Sequence, residues 1–203
     1  MKKIAIIDYG AGNTASLINA IEYLNFEPVI LKKPNGQNFS HIILPGVGAF
    51  GKLSENLKKF GFDEFLFENK KKGNFILGIC VGMQLLFKSS DEGKLQNGLG
   101  FINGNFELFN IKDIKLPIPH IGFNCVEHNN GMIWNNIKNN SSFYFIHSYR
   151  IKKIEDNCEF ATSKYGEEFI CYVEKDNIFG SQFHPEKSHK NGLQFLNNFL
   201  NLN

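Results

Sequence analysis

Long apolar runs are missing from this sequence. No segment approaches the roughly 18 apolar residues that a membrane-spanning helix needs. The stretch after Lys2 and Lys3 (Ile4, Ala5, Ile6, Ile7) is too short for the apolar region of a secretory signal, so a soluble, cytoplasmic protein is expected. Charge of one sign is also scarce. The formal net charge is +2 and the longest basic run is Lys70 to Lys72, with lysines mixed among Asp and Glu. That mixture reads as a solvated surface and excludes the one-sided basic footprint of a nucleic-acid binder. The four cysteines (Cys80, Cys125, Cys158, Cys171) form no C-x-x-C pair. They offer neither a disulfide framework nor zinc spacing, and no metal or cofactor is expected. Cys125, Cys158 and Cys171 read as buried structural thiols. Repeats, linkers and low-complexity tracts are lacking too, and the Asn-rich patches read as surface turns.

What is present supports a sizeable core: 42% of residues are hydrophobic and 14% aromatic. The first half alternates short apolar runs with helical spacing. Lys3 to Ile7, Pro28 to Leu31, His41 to Leu44 and Phe75 to Ile79 read as buried strands. Asn13 to Leu24, Phe50 to Phe60, Asp63 to Lys71 and Met83 to Phe87 read as helices. Such alternation predicts a mostly parallel sheet covered by helices on both faces. From Gly100 to Phe183 the pattern changes to short β-like runs, including Phe101 to Phe109, Phe143 to Ile146, Phe169 to Val173 and Ile178 to Phe183. A last helix, Gly192 to Leu200, follows, with Ser188 as its N-cap. One α/β domain over residues 1–203 with an added antiparallel portion is expected.

Four motifs follow strand ends. Gly10-Ala11-Gly12-Asn13-Thr14-Ala15 matches a loose dinucleotide fingerprint, but the second strand ends in Lys32 and Lys33 where a ribose-binding acid is wanted, so a tight turn is the better reading. Gly78-Ile79-Cys80-Val81-Gly82 has the form of a nucleophile elbow with Cys in place of Ser. Its glycines allow a sharp turn that lifts the sulfur to a helix N-terminus, where the dipole favours thiolate over thiol. Alone, it would read as a small buried core residue. Gln182-Phe183-His184-Pro185-Glu186-Lys187-Ser188 puts His184 and Glu186 two apart in extended chain, on one face, so that a carboxylate can orient an imidazole. Pro45-Gly46-Val47-Gly48 can bring backbone N–H groups close to a developing oxyanion. Taken together, the motifs make an acyl-transfer constellation.

The set Pro45-Gly46-Val47-Gly48, Gly78-Ile79-Cys80-Val81-Gly82-Met83-Gln84 and Phe183-His184-Pro185-Glu186 resembles the class I (triad) glutamine amidotransferases. Within that superfamily the chain is similar to the glutaminase subunits of imidazole glycerol phosphate synthase. This finer likeness rests on Ile7-Asp8-Tyr9-Gly10-Ala11-Gly12-Asn13, Pro119-His120-Ile121-Gly122-Phe123-Asn124, Tyr144-Phe145-Ile146-His147-Ser148-Tyr149 and Gln182 through Ser188, and covers nearly the whole chain in order. It implies a flavodoxin-like sheet of about seven strands rather than two domains. It also implies catalysis by Cys80, His184 and Glu186, and an oxyanion hole from the backbone of Gly46, Val47, Gly48 and Val81. Glutamine would be held by Gln84 and the backbone around His147, Ser148 and Tyr149.

The same likeness implies a heterodimer with a (β/α)8 cyclase that receives ammonia, since 203 residues leave no room for a synthase domain. Tyr9, Asn13, Phe123 and Asn124 are the expected interface residues. Phe123 departs from the family pattern, which has Trp there; the departure bears on the partner and not on the glutaminase chemistry. Three alternatives stand beside this reading. One is a paralogue supplying ammonia to a cyclase-like partner in surface sugar modification. Another is an acyl hydrolase such as a peptidase or γ-glutamyl hydrolase, although bulky cleft insertions are lacking. The third is a non-catalytic binding subunit, against which the complete triad speaks.

Overall fold

The computed structural model describes residues 1–12, 14–93, 96–110, 116–129 and 131–203. The first four strands are the apolar runs: β1 (Lys3–Ile7), β2 (Glu27–Leu31), β3 (His41–Leu44) and β4 (Phe75–Ile79). Between and after them lie α1 (Ala15–Tyr23), α2 (Phe50–Lys59), α3 (Phe62–Lys71) and α4 (Val81–Leu86). The short strands β5 (Phe87–Ser90), β6 (Gln96–Asn97), β7 (Ile102–Leu108), β8 (His120–Val126), β9 (Ser141–His147) and β10 (Tyr149–Arg150) follow. The chain then returns through β11 (Glu159–Tyr165), β12 (Glu167–Lys175) and β13 (Ile178–Ser181) to α5 (His189–Leu200).

Seven strands form the main sheet, in the order β11-β12-β13-β4-β3-β1-β2. The five from β13 to β2 run parallel, and β12 and β11 add an antiparallel edge. The parallel part has the doubly wound 2-1-3-4-5 order, so the crevice for a ligand lies beyond the carboxyl ends of these strands. The flavodoxin-like sheet and the antiparallel portion expected from sequence are therefore both present. Beside the antiparallel β8–β9 hairpin lies a mixed four-stranded sheet (β10-β7-β5-β6), in which β5 and β7 pair parallel and the outer strands antiparallel.

The inner strands of the parallel part are buried on both faces, and all four residues of β3 and of β13 are buried; β2, read from sequence as buried, is instead the sheet edge, with Ile30 exposed and only Leu31 buried. α3 matches its dipole, with Asp63 and Glu64 in its first turn and Lys70 and Lys71 in its last. At the start of α2, the Phe50 N–H donates to the Glu92 carboxylate at 3.0 Å. Phenylalanine fills much of the core. Phe143, Phe183 and Phe195 surround Trp134, the chain's one tryptophan.

Several boundaries differ from the expectation. The first helix is described from Ala15, and Asn13 lies outside the described residues. Phe87, read as helical, instead opens β5 and pairs with Ile102. α5 starts at His189, earlier than its apolar spacing indicated. Ser188 occupies the N-cap position but does not cap. Its hydroxyl donates to the His184 carbonyl at 2.6 Å and accepts from the Tyr144 N–H at 2.9 Å, pinning the His184 segment to β9. Of the three cysteines read as buried, only Cys171 is. Cys158 is half-buried and Cys125 is exposed, because strand alternation puts it on the outward face of β8.

The elbow after β4 is fitted against the loop after β3 by glycines. A Cβ on Gly82 would run into the Leu44 carbonyl, and one on Gly78 would sit 2.6 Å from the Gly82 carbonyl carbon. Gly82→Ala is therefore expected to destabilise the fold by about 3 kcal/mol, the upper range for overpacking. Gly36→Ala, where a Cβ meets nothing within 4 Å, serves as the control. Denaturant unfolding of both variants checks this; equal stabilities would refute the packing account.

Candidate active site

Cys80 sits between β4 and α4 with φ 55° and ψ −114°, a backbone conformation costly for a residue with a side chain. The strand is held in the sheet up to that point: Ile79 lies opposite Ser181, and the Cys80 N–H donates to the Ser181 carbonyl at 2.7 Å. The sharp turn places the sulfur at the carboxyl edge of the sheet, 4% exposed. β13 runs alongside and delivers His184 just past its end. His184 Nδ1 bonds Glu186 Oε1 at 2.8 Å, and Pro185 opens a short 3₁₀ turn that carries the carboxylate back to the ring. Cys80, His184 and Glu186, distant in sequence, are thus brought together.

His184 Nε2 is buried and makes no hydrogen bond to a described group. It lies near enough to Cys80, however, for the two to interact electrostatically. Burial opposes a charge on this ring, but Cys80 and Glu186 outweigh it and raise the His184 pKa from 6.5 to about 10. Proton transfer between sulfur and imidazole is the chemistry this arrangement allows.

The Val81 N–H donates to the Gly46 carbonyl at 3.2 Å and the Val47 N–H to the Ala11 carbonyl at 2.9 Å. Two of the expected donors are thus engaged by backbone, and the Gly46–Val47 peptide presents its oxygen to the N–H beside the nucleophile. Gly48, at φ 140°, allows rotation of this loop that other residues resist.

Among the expected substrate contacts, Gln84 is buried and its Nε2 donates to Gln182 Oε1 at 3.2 Å, leaving Gln84 Oε1 without a hydrogen bond. Gln182 belongs to the C-terminal motif, but sequence reasoning assigned it no role; its Nε2 lies 3.6 Å from the Cys80 sulfur. Ser148 forms a bend between β9 and β10, and its carbonyl accepts from the Phe109 N–H at 3.1 Å. Tyr149 lies beside Gly93 and Glu92, and burial raises its phenol pKa. The His147 side chain is turned inward. Its Nδ1 donates to the Tyr149 carbonyl at 2.8 Å, and its Nε2 meets His120 Nδ1 at 3.0 Å. Because a carbonyl only accepts, His147 Nε2 is the bare nitrogen and His120 Nδ1 carries the proton. This His pair escaped sequence reasoning; the equal places of His120 and His147 in the β8–β9 register are the signal that could have found it.

The expected interface residues separate. Phe123 is 50% exposed and stacks on the His189 ring at 5.1 Å. Asn124 is half-buried, and its Nδ2 donates to the Lys164 carbonyl at 2.8 Å. Tyr9 is a correction: it is 0% exposed and its hydroxyl donates to the Pro45 carbonyl at 2.6 Å, so it ties two active-site loops together and offers no surface. Asn13 lies outside the described residues. Among the described residues, no group of three His, Cys, Asp or Glu side chains could hold a metal ion, and no helix is long and apolar enough to cross a membrane.

Comparison with known proteins agrees with this geometry. The class-I glutamine amidotransferase family model matches residues 5–202. Imidazole glycerol phosphate synthase subunit HisH 2 of Methanococcus maripaludis is 44% identical over 202 residues, covering 97% of this chain and 98% of that protein. Subunit HisH 1 of the same synthase from Campylobacter jejuni is 43% identical over 204 residues, covering 98% of this chain and all of that one. In fold, PurLQS from Thermotoga maritima superposes with a TM-score of 0.76 at 21% identity, over 98% of each chain.

The buried His pair sets an acid limit on stability. Burial lowers the pKa of His120 from 6.5 to about 4 and that of His147 to about 3. The unfolded chain takes up these protons below about pH 6.5 while the fold refuses them, so the pair's contribution is full above that pH and falls as pH drops toward 4. His184, with its raised pKa, has the opposite sign: its contribution is full below about pH 6.5 and is lost progressively as pH rises from there through about 10. A melting temperature that declines from about pH 6.5 to about pH 4, with a shallower decline in His147→Gln, is expected. Parallel slopes in the two proteins would contradict it.

Proposed function

This chain belongs to the class-I glutamine amidotransferase family, and on that premise we propose that it is the glutaminase subunit of an imidazole glycerol phosphate synthase, in histidine biosynthesis. The observation that carries the reading is the meeting of Cys80, on its strained elbow, with a buried His184 oriented by Glu186. The Cys80 sulfur attacks the side-chain carbonyl carbon of glutamine. The C–N bond breaks, His184 gives its proton to the leaving ammonia, and a γ-glutamyl thioester remains on the sulfur. His184 then takes a proton from water, whose oxygen displaces the sulfur and frees glutamate. Glu186 keeps the imidazole oriented throughout. Gln84 and the backbone around Ser148 and Tyr149 are the proposed glutamine contacts, and the exposed Phe123 with Asn124 the proposed interface.

Ammonia released in a buried site is useful only if it reaches an acceptor without loss to solvent. The proposed acceptor is held by a (β/α)8 cyclase subunit. The two would work as a cytoplasmic heterodimer whose cyclase part, in a lyase step, makes imidazole glycerol phosphate and an aminoimidazole carboxamide ribotide. Engagement of Val81 N–H by the Gly46 carbonyl supports a resting state in which glutamine is not wasted. Binding of the partner and its ligand would turn the Gly46–Val47 peptide and free an N–H for the oxyanion.

Two outcomes follow for the reconstituted complex. Cys80→Ala should lower glutamine-dependent synthesis by about a thousandfold or more while synthesis from ammonium salt persists; equal activity on glutamine would end the proposal. Glutamate release by the isolated chain should be weak and rise at least about tenfold with partner and ligand bound, the rate equivalent of one hydrogen-bond-sized change in barrier. Full activity of the lone chain would rule out the resting state described.

A further inference from the structure

The side chain of Gln182 has no part in the triad, yet it lies against the reacting atom. It is completely buried, 0% exposed, as is Gln84 nearly so at 2%. Two carboxamides in the interior are expensive unless each serves a hydrogen bond that nothing apolar could replace. Gln182 Nε2 approaches Cys80 Sγ at 3.6 Å, and Gln84 Nε2 approaches Gln182 Oε1 at 3.2 Å. The directions are mutually consistent. A thiolate only accepts, so it must see the Nε2 of Gln182; that turns Oε1 to Gln84, whose own Nε2 then donates. The order is Gln84 to Gln182 to sulfur, and the oxygen left over is Gln84 Oε1, the atom without a partner.

A second neighbour of the sulfur makes this donor necessary. The Ile146 carbonyl lies 3.7 Å from Cys80 Sγ. It can accept an S–H but repels a thiolate. His184 also faces the sulfur, but its proton leaves with ammonia. An amide N–H is never given up, so it can stay on the sulfur through attack and again when the sulfur is expelled from the thioester.

We propose that Gln182 is a further catalytic residue of the glutaminase reaction, donating its side-chain N–H to the Cys80 sulfur, and that Gln84 positions it by fixing the turn of its carboxamide. The inference rests on the glutaminase reading above. It gives Gln84 a duty in the resting site besides the substrate contact proposed for it.

The test is alkylation of Cys80 by iodoacetamide across a range of pH, on the full chain, followed by mass spectrometry of the peptide bearing Cys80 so that the exposed Cys125 does not interfere. Gln182→Met keeps length and neutrality but has no donor. It should slow Cys80 alkylation at neutral pH by about tenfold and move the rise in rate to higher pH. Gln182→Glu, which sets a carboxylate oxygen against the sulfur, should slow it further. In glutamine turnover, Gln182→Met should lower kcat with KM little changed, since the residue touches sulfur and not substrate. Circular dichroism and thermal melting establish that the variants are folded. Should Gln182→Met fail to fold, Gln84→Met, which removes only the group that turns Gln182, should still slow alkylation. An unchanged alkylation profile in the folded variants overturns the inference. Glutamate release by the wild-type chain with its partner is measured separately: its absence would defeat the glutaminase reading, whereas normal release with an unaffected Gln182→Met defeats the role of Gln182 alone.

Discussion

Everything at the catalytic edge depends on how closely the elbow after β4 is set against the loop after β3. Gly82 packs on the Leu44 carbonyl with no room for a Cβ, and a Cβ on Gly46 would strike the backbone of Val81. That closeness allows the Val81 N–H to reach Gly46, so one contact both seats the turn at Cys80 and holds the Gly46–Val47 peptide. Tyr9, Ala11 and Asn56 extend the same joint to the first loop: Tyr9 donates to the Pro45 carbonyl, the Ala11 carbonyl accepts from Val47, and Asn56 Nδ2 donates to the Tyr9 carbonyl at 2.9 Å. A loop held at several points by backbone groups has few arrangements open to it, and passes between them as a unit.

Charge at the site is arranged by burial as much as by partners. His184 keeps its proton because sulfur and carboxylate flank it, whereas His120 and His147, facing each other across the β8–β9 hairpin, are kept neutral by burial and by a hydrogen-bond order that leaves one bare nitrogen on each ring. Three imidazoles of the same intrinsic basicity thus hold two different charge states within one site. The neutral pair stiffens the segment carrying Ser148 and Tyr149 without adding a positive charge that would compete with His184 for the sulfur.

Much of this could be read from sequence because the relevant signals are local. Apolar runs marked the parallel strands, Gly-x-Cys-x-Gly marked the elbow, and the spacing of His184 and Glu186 is a two-residue geometry. What escaped depends on long-range packing. Tyr9 follows a strand, and nothing in its neighbours tells that a loop 36 residues away covers it. The hydroxyl of Ser188 looked like a helix cap, but found a carbonyl of its own 3₁₀ turn and an N–H of β9 instead. Phe87 continues the apolar pattern of α4, and only its pairing with Ile102 decides that the helix has ended. Cys125 was misjudged because scarcity of cysteine says nothing about which face of β8 it takes. The engaged Val81 N–H is different, because the glycine-rich Pro45-Gly46-Val47-Gly48 loop itself points to it: the peptide next to Val47 can turn its carbonyl, not its N–H, to the oxyanion position.

The strand order has a consequence for the life history of the chain. β4 and β13 are neighbours in the sheet, but Cys80 and Gln182 are 102 residues apart in sequence. All of the four-stranded sheet and the β8–β9 hairpin is made between them. Contacts of such separation close late, after the local ones have been paid in entropy. During synthesis, the segment bearing the nucleophile leaves the ribosome long before its base exists, and the first four strands can pair while Cys80 remains without His184. The nucleophile and its base therefore meet only when β13 slots in beside β4.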